Sequence, residues 1–389
     1  MSQKRGVVSD YTSNSARPIS VTSTLPIALV CTSDVEAGMY SFDSPKAAVE
    51  HMSQTSGSSA GNMMKYLNLG VNQFPVTAPT IVAVVNEGAD AAATKTAIIN
   101  ATNALKSVAS SVNLASPTES MIGFKPDIVA VCDYAINDMD VANAIISADN
   151  NLKARSFIDL DAVDNGDAIA KRAGFGSDRI TLVKTSLGLW NTLDSKTDYY
   201  DAGVVLAWLR VYVDGESDTG YAKSISNRVL PVSSVKSPSQ FNIGALDETD
   251  PLTENQIMSF IAHMGIRTWE YATTSDDPIW QDARRVRIFD LAAEAVLDGI
   301  FWAVDKDLSA LSSAKKSLRG FMNGLVGDEV MLGFNVYLDE KRTTPERITA
   351  GEFYFVIDCQ EVPSPRLISV TFNRVDRYAP LVYKIIEEA

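Results

Sequence analysis

The sequence predicts an α/β (α+β) chain with two domains and extended, strand-like ends. Between residues 25 and 230, short β-branched runs alternate with longer Ala-rich stretches, which is how a largely parallel sheet with covering helices reads. From residue 252 to about 375 the order changes to helices followed by strands. Both ends carry apolar residues too few to form a core of their own. With 389 residues the chain has about two or three domains' worth of length and can bury a large core.

Residues 1–24 are rich in Ser, Thr and Asn around Arg17-Pro18. Their few apolar positions, Val7, Val8 and Tyr11, together with the Ile19/Val21 alternation, have strand character and need a sheet edge elsewhere for cover. Buried strands are expected at 26–30, 81–85, 128–131, 156–160 and 180–183, and helices at 90–112, 138–153, 164–173 and 199–213. Residues 54–62 read as a loop, 214–218 as a turn and 230–250 as a linker. Thr253 and Gln256 stand at capping-box spacing before Ile257, Phe260, Ile261 and Met264, which predicts a helix there. A strand over 266–271 follows. Ser275 or Asp276 is then expected to cap a long helix over 278–304, apolar around most of its circumference. The next helix, 308–326, is amphipathic, with Leu311, Ala314, Leu318, Phe321 and Leu325 on one stripe and Lys315, Lys316 and Arg319 on the other side. Strands return at 334–338, 353–358 and 367–375, and 378–389 reads as a final strand. Taken as domains, this divides the chain into 1–24, 25–235, 236–377 and 378–389.

Composition excludes several classes of function. Lys and Arg total 34 against 48 Asp and Glu, a net charge of −14, so phosphate backbones are repelled from most of the surface and nucleic acid is not an expected partner. The three cysteines, Cys31, Cys132 and Cys359, lie far apart and form no C-x-x-C pair, which gives neither a zinc site nor a disulfide framework. The first residues have basic side chains without an apolar stretch behind them, and no later segment has the uncharged length of a membrane span. No phosphate loop, dinucleotide fingerprint, nucleophile elbow or H-E-x-x-H motif is present. Only His51 and His263 could serve a histidine-dependent mechanism, and both read as packing or surface residues. No cofactor or metal is expected, and the chain does not read as an enzyme.

Two clusters have chemical potential. Phe157-Ile158-Asp159-Leu160-Asp161-Ala162-Val163 fits the hhDxDx[TV] pattern of haloacid-dehalogenase-type phosphatases, in which one carboxylate attacks phosphorus and both help hold magnesium; Asp276-Asp277 could complete such a site. The plainer reading is that acids at a strand's end are loop residues and helix caps, as Asp164 and Asn165 would be. The second cluster is the cationic side of the 308–326 helix. In an acidic chain, Lys315, Lys316 and Arg319 make a local positive spot suited to an acidic partner surface, set against the ordinary reading of a solvated face.

Several segments, in order, resemble the sheath protein of contractile phage tails and R-type bacteriocins, especially the compact kind of P2-like phages. Gly6-Val7-Val8, Arg17-Pro18-Ile19 and Ser23-Thr24 with Ile27-Ala28-Leu29-Val30 are similar to the family's opening run. Lys125-Pro126-Asp127-Ile128-Val129 and Arg155-Ser156-Phe157-Ile158-Asp159 are similar to two of its strands, and Gly220–Arg228 to its W-x-S-P-S-N segment, with Ile225 in place of the proline. Gly265-Ile266-Arg267-Thr268-Trp269, Ser275-Asp276-Asp277-Pro278-Ile279-Trp280 and Arg284-Arg285 match G-x-R-x-W, S-D-P-L-W and R-R. Residues 31–120 show no firm match.

The resemblance implies a structural subunit that forms a helical homo-oligomer of hexameric rings around an inner tail tube protein, with baseplate and tail terminator proteins at its ends. It implies a place in the virion tail, assembled in the host cytoplasm, with no membrane insertion. It further implies that the terminal arms enter the sheets of neighbouring subunits, which assigns Val7, Val8 and Tyr11 at one end and Leu381, Tyr383 and Ile385 at the other as inserted residues. It also assigns Lys315, Lys316 and Arg319 to contact with the tube. The alternative is a metal-dependent phosphohydrolase using Asp159 and Asp161.

Overall fold

The computed structural model describes residues 17–21, 25–55, 61–108, 125–192, 194–375, 377–379 and 381–387. The expected strand and helix alternation appears in its first half. Strand β1 (Ile27–Thr32) is flanked by β3 (Thr80–Val85) and β4 (Ile128–Val131), both parallel to it, and β2 (Gly38–Phe42) closes that edge antiparallel to β3. A second sheet runs β5 (Ser156–Asp159), β6 (Ile180–Val183), β10 (Ile257–Ala262) and β11 (Ile266–Trp269), with the last pair antiparallel. The two sheets meet at β4 and β5, where Val129 N–H donates to Arg155 O at 2.9 Å and Arg155 N–H to Asp127 O at 3.0 Å.

Alternation along these strands feeds two cores. Ile27, Leu29 and Cys31 enter one; Ala28 and Val30 enter the other. The second core is covered by α3 (Ala91–Val108), α4 (Met139–Leu152) and α5 (Asn165–Arg172). On the opposite face lie α1 (Pro45–Ser53), α2 (Met63–Gln73) and α6 (Ala202–Asp214), the last buried along nearly its whole length around Trp208. Asp138 and Asp164 cap α4 and α5 with their carboxylates. A small sheet of β7 (Leu187–Asn191), β8 (Lys196–Tyr200) and β9 (Ser234–Val235) lies beside this body.

A separate core belongs to α8 (Ala283–Ile300), α9 (Leu308–Gly327), β12 (Met331–Leu338) and β13 (Phe355–Glu361); α7 (Asp250–Glu254), α10 (Pro345–Thr349) and α11 (Leu381–Glu387) are short. In α8, Ile288, Leu291, Ala292 and Ala295 face Leu318, Phe321, Met322 and Leu325 of α9, and the β12–β13 hairpin adds Met331 and Val336.

Several expectations need correction. Residues 257–262 form β10, not a helix: Gln256 has φ of 59°, which ends α7, and Ile257, Met258, Phe260 and Ile261 are buried together as a central strand. An uninterrupted apolar run satisfies helical spacing and a two-sided strand equally well, and β6 and β11 on either side decide the case. The cap of the long helix is Asp282, accepting from Arg284 and Arg285 N–H, after a 3₁₀ turn over Pro278–Trp280. That helix is not apolar all round, because Arg284 and Arg287 are on its buried side while Leu297 is exposed. The division at 235/236 falls inside a sheet, since β5 and β6 pair with β10 and β11; the separable unit is α8 to β13. Residues 367–375 make no ladder, and the last segment, expected as a strand, is helix over Leu381–Glu387. A chain end with no edge to pair with has no ladder to hold it extended, and local helical hydrogen bonds satisfy part of its backbone instead.

The α8–α9 unit is fixed to the α/β body by buried ion pairs. Asp214 accepts from Arg210 Nε at 3.0 Å and from Arg287 Nη2 at 2.5 Å, with all three side chains almost fully buried. Arg179 makes a bidentate pair with Asp290 at 2.5 and 3.0 Å.

Candidate assembly interfaces

The acidic cluster does not form a reactive pair. Asp159 is fully buried; its Oδ1 accepts from Asp161 N–H at 2.8 Å and its Oδ2 from Ser186 Oγ at 2.6 Å and Ala202 N–H at 3.1 Å. Burial raises its pKa against the pull of those donors. Asp161 turns the other way, toward the surface, where Lys236 Nζ donates to its two oxygens at 2.7 and 3.0 Å. The pair therefore ties the end of β5 to the β6–β7 connection, to the start of α6 and to the 230–250 segment, and Asp277 caps the 3₁₀ turn through Ile279 N–H at 2.9 Å. Nothing in this arrangement supports the phosphohydrolase alternative. His51 packs by Phe42, with ring centroids 5.5 Å apart, and His263 lies in the β10–β11 turn, 6.4 Å from the Phe241 ring.

Exposed apolar side chains accumulate toward the C-terminal end. The stem of the N-terminal segment lies as a strap along α8 and α9. Arg17 N–H donates to Ser317 Oγ at 2.7 Å, and its guanidinium stands 4.3 Å from the Trp302 ring centroid. Ile19 and Val21 pack against the α8–α9 core and Leu25 enters it. Ile19 sits over Gly299: a Cβ there would fall 2.5 Å from Ile19 Cγ1. Gly299→Val is expected to lift the strap while leaving the fold intact. Hydrogen exchange of a peptide covering 17–21 should then speed up several-fold, and unchanged exchange would show that the notch does not hold it. Val7, Val8 and Tyr11 lie outside the described residues.

The C-terminal stem is held by Arg366, whose Nη2 is 3.5 Å from Glu270 and 3.7 Å from Asp282. Past it, Leu367, Ile368, Val370 and Phe372 are 87, 80, 69 and 94% exposed. In α11, Leu381 and Ile385 are exposed, as are Val382 and Ile386; of Tyr383 only its helical backbone is described. A seven-residue helix is marginal in water by itself, and these side chains leave much apolar surface exposed among the described residues. The exposed stretch starts near 367, earlier than the boundary at 378 read from sequence.

A hairpin with open edges belongs to the same core as the N-terminal stem. The β12–β13 hairpin pairs Phe334 with Cys359 through Leu338 with Phe355 and packs one face on α9. It is two-stranded, so among the described residues both outer edges are unpaired, and a two-stranded sheet with open edges is a template for added strands. On α9, Lys316 and Arg319 are exposed and Lys315 is half-buried; none makes an ion pair among the described residues. Sequence reasoning placed this helix and its cationic side but missed both stems, because what holds Arg17 and Arg366 is distant in sequence.

Comparison with known proteins bears on this arrangement. Residues 275–373, nearly the α8 to β13 unit with its following segment, match the family model described as phage tail sheath C-terminal domain. The tail sheath protein of Escherichia phage P2 is 27% identical over 385 residues, covering 93% of each chain. The chain is similar to phage tail sheath proteins. A putative prophage major tail sheath protein of Pseudomonas aeruginosa (strain UCBPP-PA14) is 28% identical over 229 residues, 57% of this chain and 58% of that protein. In fold, the helical sheath of the anti-feeding prophage in its contracted state superposes with a TM-score of 0.69 at 16% identity, covering 96% of this chain and all of the other. No helix among the described residues is long and apolar enough to cross a membrane.

Proposed function

We infer that the chain is a structural subunit of a contractile tail sheath, one copy in a helical polymer around an inner tube. The observation that carries this is the sequence relationship to the phage P2 tail sheath over 93% of both chains. The fold agrees with it, and the exposed apolar C-terminal segment after the Arg366 stem agrees with a subunit completed by its neighbours.

In this reading the arms, with Val7, Val8 and Tyr11 at one end and Leu381, Tyr383 and Ile385 at the other, join neighbouring copies by adding strands to the open edges of the β12–β13 hairpin. Main-chain pairing keeps copies joined while their bodies slide, so contraction exchanges one set of body contacts for another, with no nucleotide step. The extended polymer is a kinetically trapped state, released from the baseplate end. Lys315, Lys316 and Arg319 of α9 hold the tube. Each exposed charge contact is worth only about 0.2–1 kcal/mol, which suits a lock that opens ring by ring yet sums along a tail. Baseplate and terminator proteins cap the polymer, and the assembled particle is a virion tail built in the host cytoplasm.

Negative-stain microscopy of the purified protein tests the assembly: striated tubes are expected, and a compact monomer under all assembly conditions would overturn the reading. Lys315→Glu with Lys316→Glu should leave self-polymerisation intact and weaken co-assembly with the tube, most strongly at low salt. Equal co-assembly at every salt concentration would remove α9 from the tube contact.

A further inference from the structure

Beside the N-terminal strap lies a buried carboxyl with no charge partner of its own. Asp127, just ahead of β4, is 8% exposed and lines a cavity of about 580 Å³ together with Ile19 and Val21 of the strap, Leu25, and Glu294 and Asp298 of α8. Its main chain is fixed on two sides: its N–H donates to Pro26 O at 2.9 Å, and its carbonyl accepts from Arg155 N–H at 3.0 Å. Its side chain forms no ion pair and no hydrogen bond among the described residues. Two cations act on it, and each is engaged with another carboxylate. Lys125 Nζ lies 2.5 Å from Glu294 Oε1, and Arg287 Nη2 donates to Asp214 Oδ2 at 2.5 Å. Those two carboxylates oppose a further negative charge at Asp127, and Asp298, exposed on α8, lines the same cavity. A buried carboxylate without a counterion of its own neutralises rather than bear the loss of water. Burial, helped by Glu294 and Asp214, pushes the Asp127 carboxyl up to about 7, against the pull of Arg287 and Lys125.

We propose that Asp127 is a proton-operated latch for the strap: with the carboxyl neutral, the strap and α8 close on the cavity, and with it ionised, water is drawn to the charge and the strap loosens. Position gives the charge its leverage. The start of β1 meets Asp127 through Pro26, the β4–β5 junction through Arg155, and α8 through the neighbouring Lys125–Glu294 pair, so the group sits in the seam between the α/β body and the α8 to β13 unit. Ile19 and Val21 share the cavity with it, and hydration of the carboxylate takes away their dry surroundings. The direction follows from linkage. A carboxyl raised from its ordinary 3.8 to about 7 in the folded chain keeps its proton where the unfolded chain has lost it, so its contribution to stability is full below the lower value and is lost as pH rises through the upper one. The inference concerns a single subunit and does not rest on the sheath reading. Within that reading it places a proton-sensitive joint at the root of the N-terminal arm.

The test compares the full chain with Asp127→Asn, which mimics the neutral carboxyl in size and shape. Urea midpoints of the two should lie closest near about pH 4 and separate up to about pH 7, with the variant the more resistant above that. Parallel profiles across the range would overturn the proposal, because the carboxyl would then titrate alike in the folded and unfolded chains. The strap gives the second readout. Hydrogen exchange of a peptide covering 17–21, corrected for the intrinsic effect of pH, should quicken about threefold or more between about pH 6 and pH 8 in the parent and stay level in Asp127→Asn. Equal protection of the parent at both would show that the strap does not respond to the charge, and the latch would be wrong. Glu294→Gln leaves Asp127 in place and frees Lys125 to compensate it, so the quickening should begin at lower pH than in the parent. An unchanged onset in that variant would equally overturn the assignment.

Discussion

Replacing Asp214 by alanine is expected to lower the unfolding free energy of the subunit by about 3–5 kcal/mol, read as a lower urea midpoint. The carboxylate answers two guanidiniums at once: Arg210, fully buried on the same helix, and Arg287, which reaches it from α8. Arg210 would keep acceptors in Gly220 O and Lys223 O, at 2.7 and 2.6 Å. Arg287 would not, since its Nε already lacks a partner among the described residues. Only Asp127, a carboxyl whose charge burial disfavours, would still face Arg287, and a poorly compensated buried cation is what makes the loss large. Arg287→Met should cost clearly less, because Asp214 would remain paired with Arg210 and the methionine would refill part of the volume. If the two variants were equally destabilised, the penalty would not come from an orphaned charge. The mechanical consequence is that α6 and α8 move together, so the α9 face and the hairpin are carried on the α/β body rather than on a loose appendage.

Much of this fold is legible from periodicity. The runs at 81–85, 128–131 and 180–183 are too short for helices and too apolar for edges, and each is a central strand with both faces buried. Asp138 and Asp164 announce α4 and α5 as caps. The run at 257–261 also satisfies helical spacing, and its neighbours decide it: β6 lies distant in the chain, and β11 follows a turn that Gly265 permits with φ of 108°. The same limit hid the join between β5–β6 and β10–β11, and so moved the domain boundary. The cationic side of α9 was legible because helical spacing separates Lys316 and Arg319 from Leu318 and Phe321. The Ile19 seat at Gly299 was not, since a glycine in a helix gives no sign of what leans on it. In the C-terminal segment, Leu367, Ile368, Val370 and Phe372 have strand composition but no partner strand among the described residues.

That missing partner leads to the strongest expected effect on assembly. Deletion of residues 1–16, or of 367–389, should leave a folded subunit that no longer polymerises. Both deletions leave the described cores complete: Ile19, Val21 and Leu25 remain on α8 and α9 in the first, and β13 with the Arg366 stem remains in the second. Unfolding midpoints of both variants should therefore stay near the parent's. Deletion of 1–25 is different, because it strips Leu25 from the core and uncovers Gly299; it should lower stability as well as abolish tubes. Removing 367–389 also takes away several strongly exposed apolar side chains, Phe372 at 94% among them, so the unassembled subunit should aggregate less. Mixing distinguishes a joint between copies from a merely sticky tail. A subunit lacking 1–16 keeps its hairpin edges and its C-terminal arm, so a small fraction of it added to intact protein should enter the growing polymer and shorten the tubes. Striated tubes of normal length from either truncated protein alone would show that copies are held together by their bodies, and the strand-exchange account of the sheath would have to be abandoned.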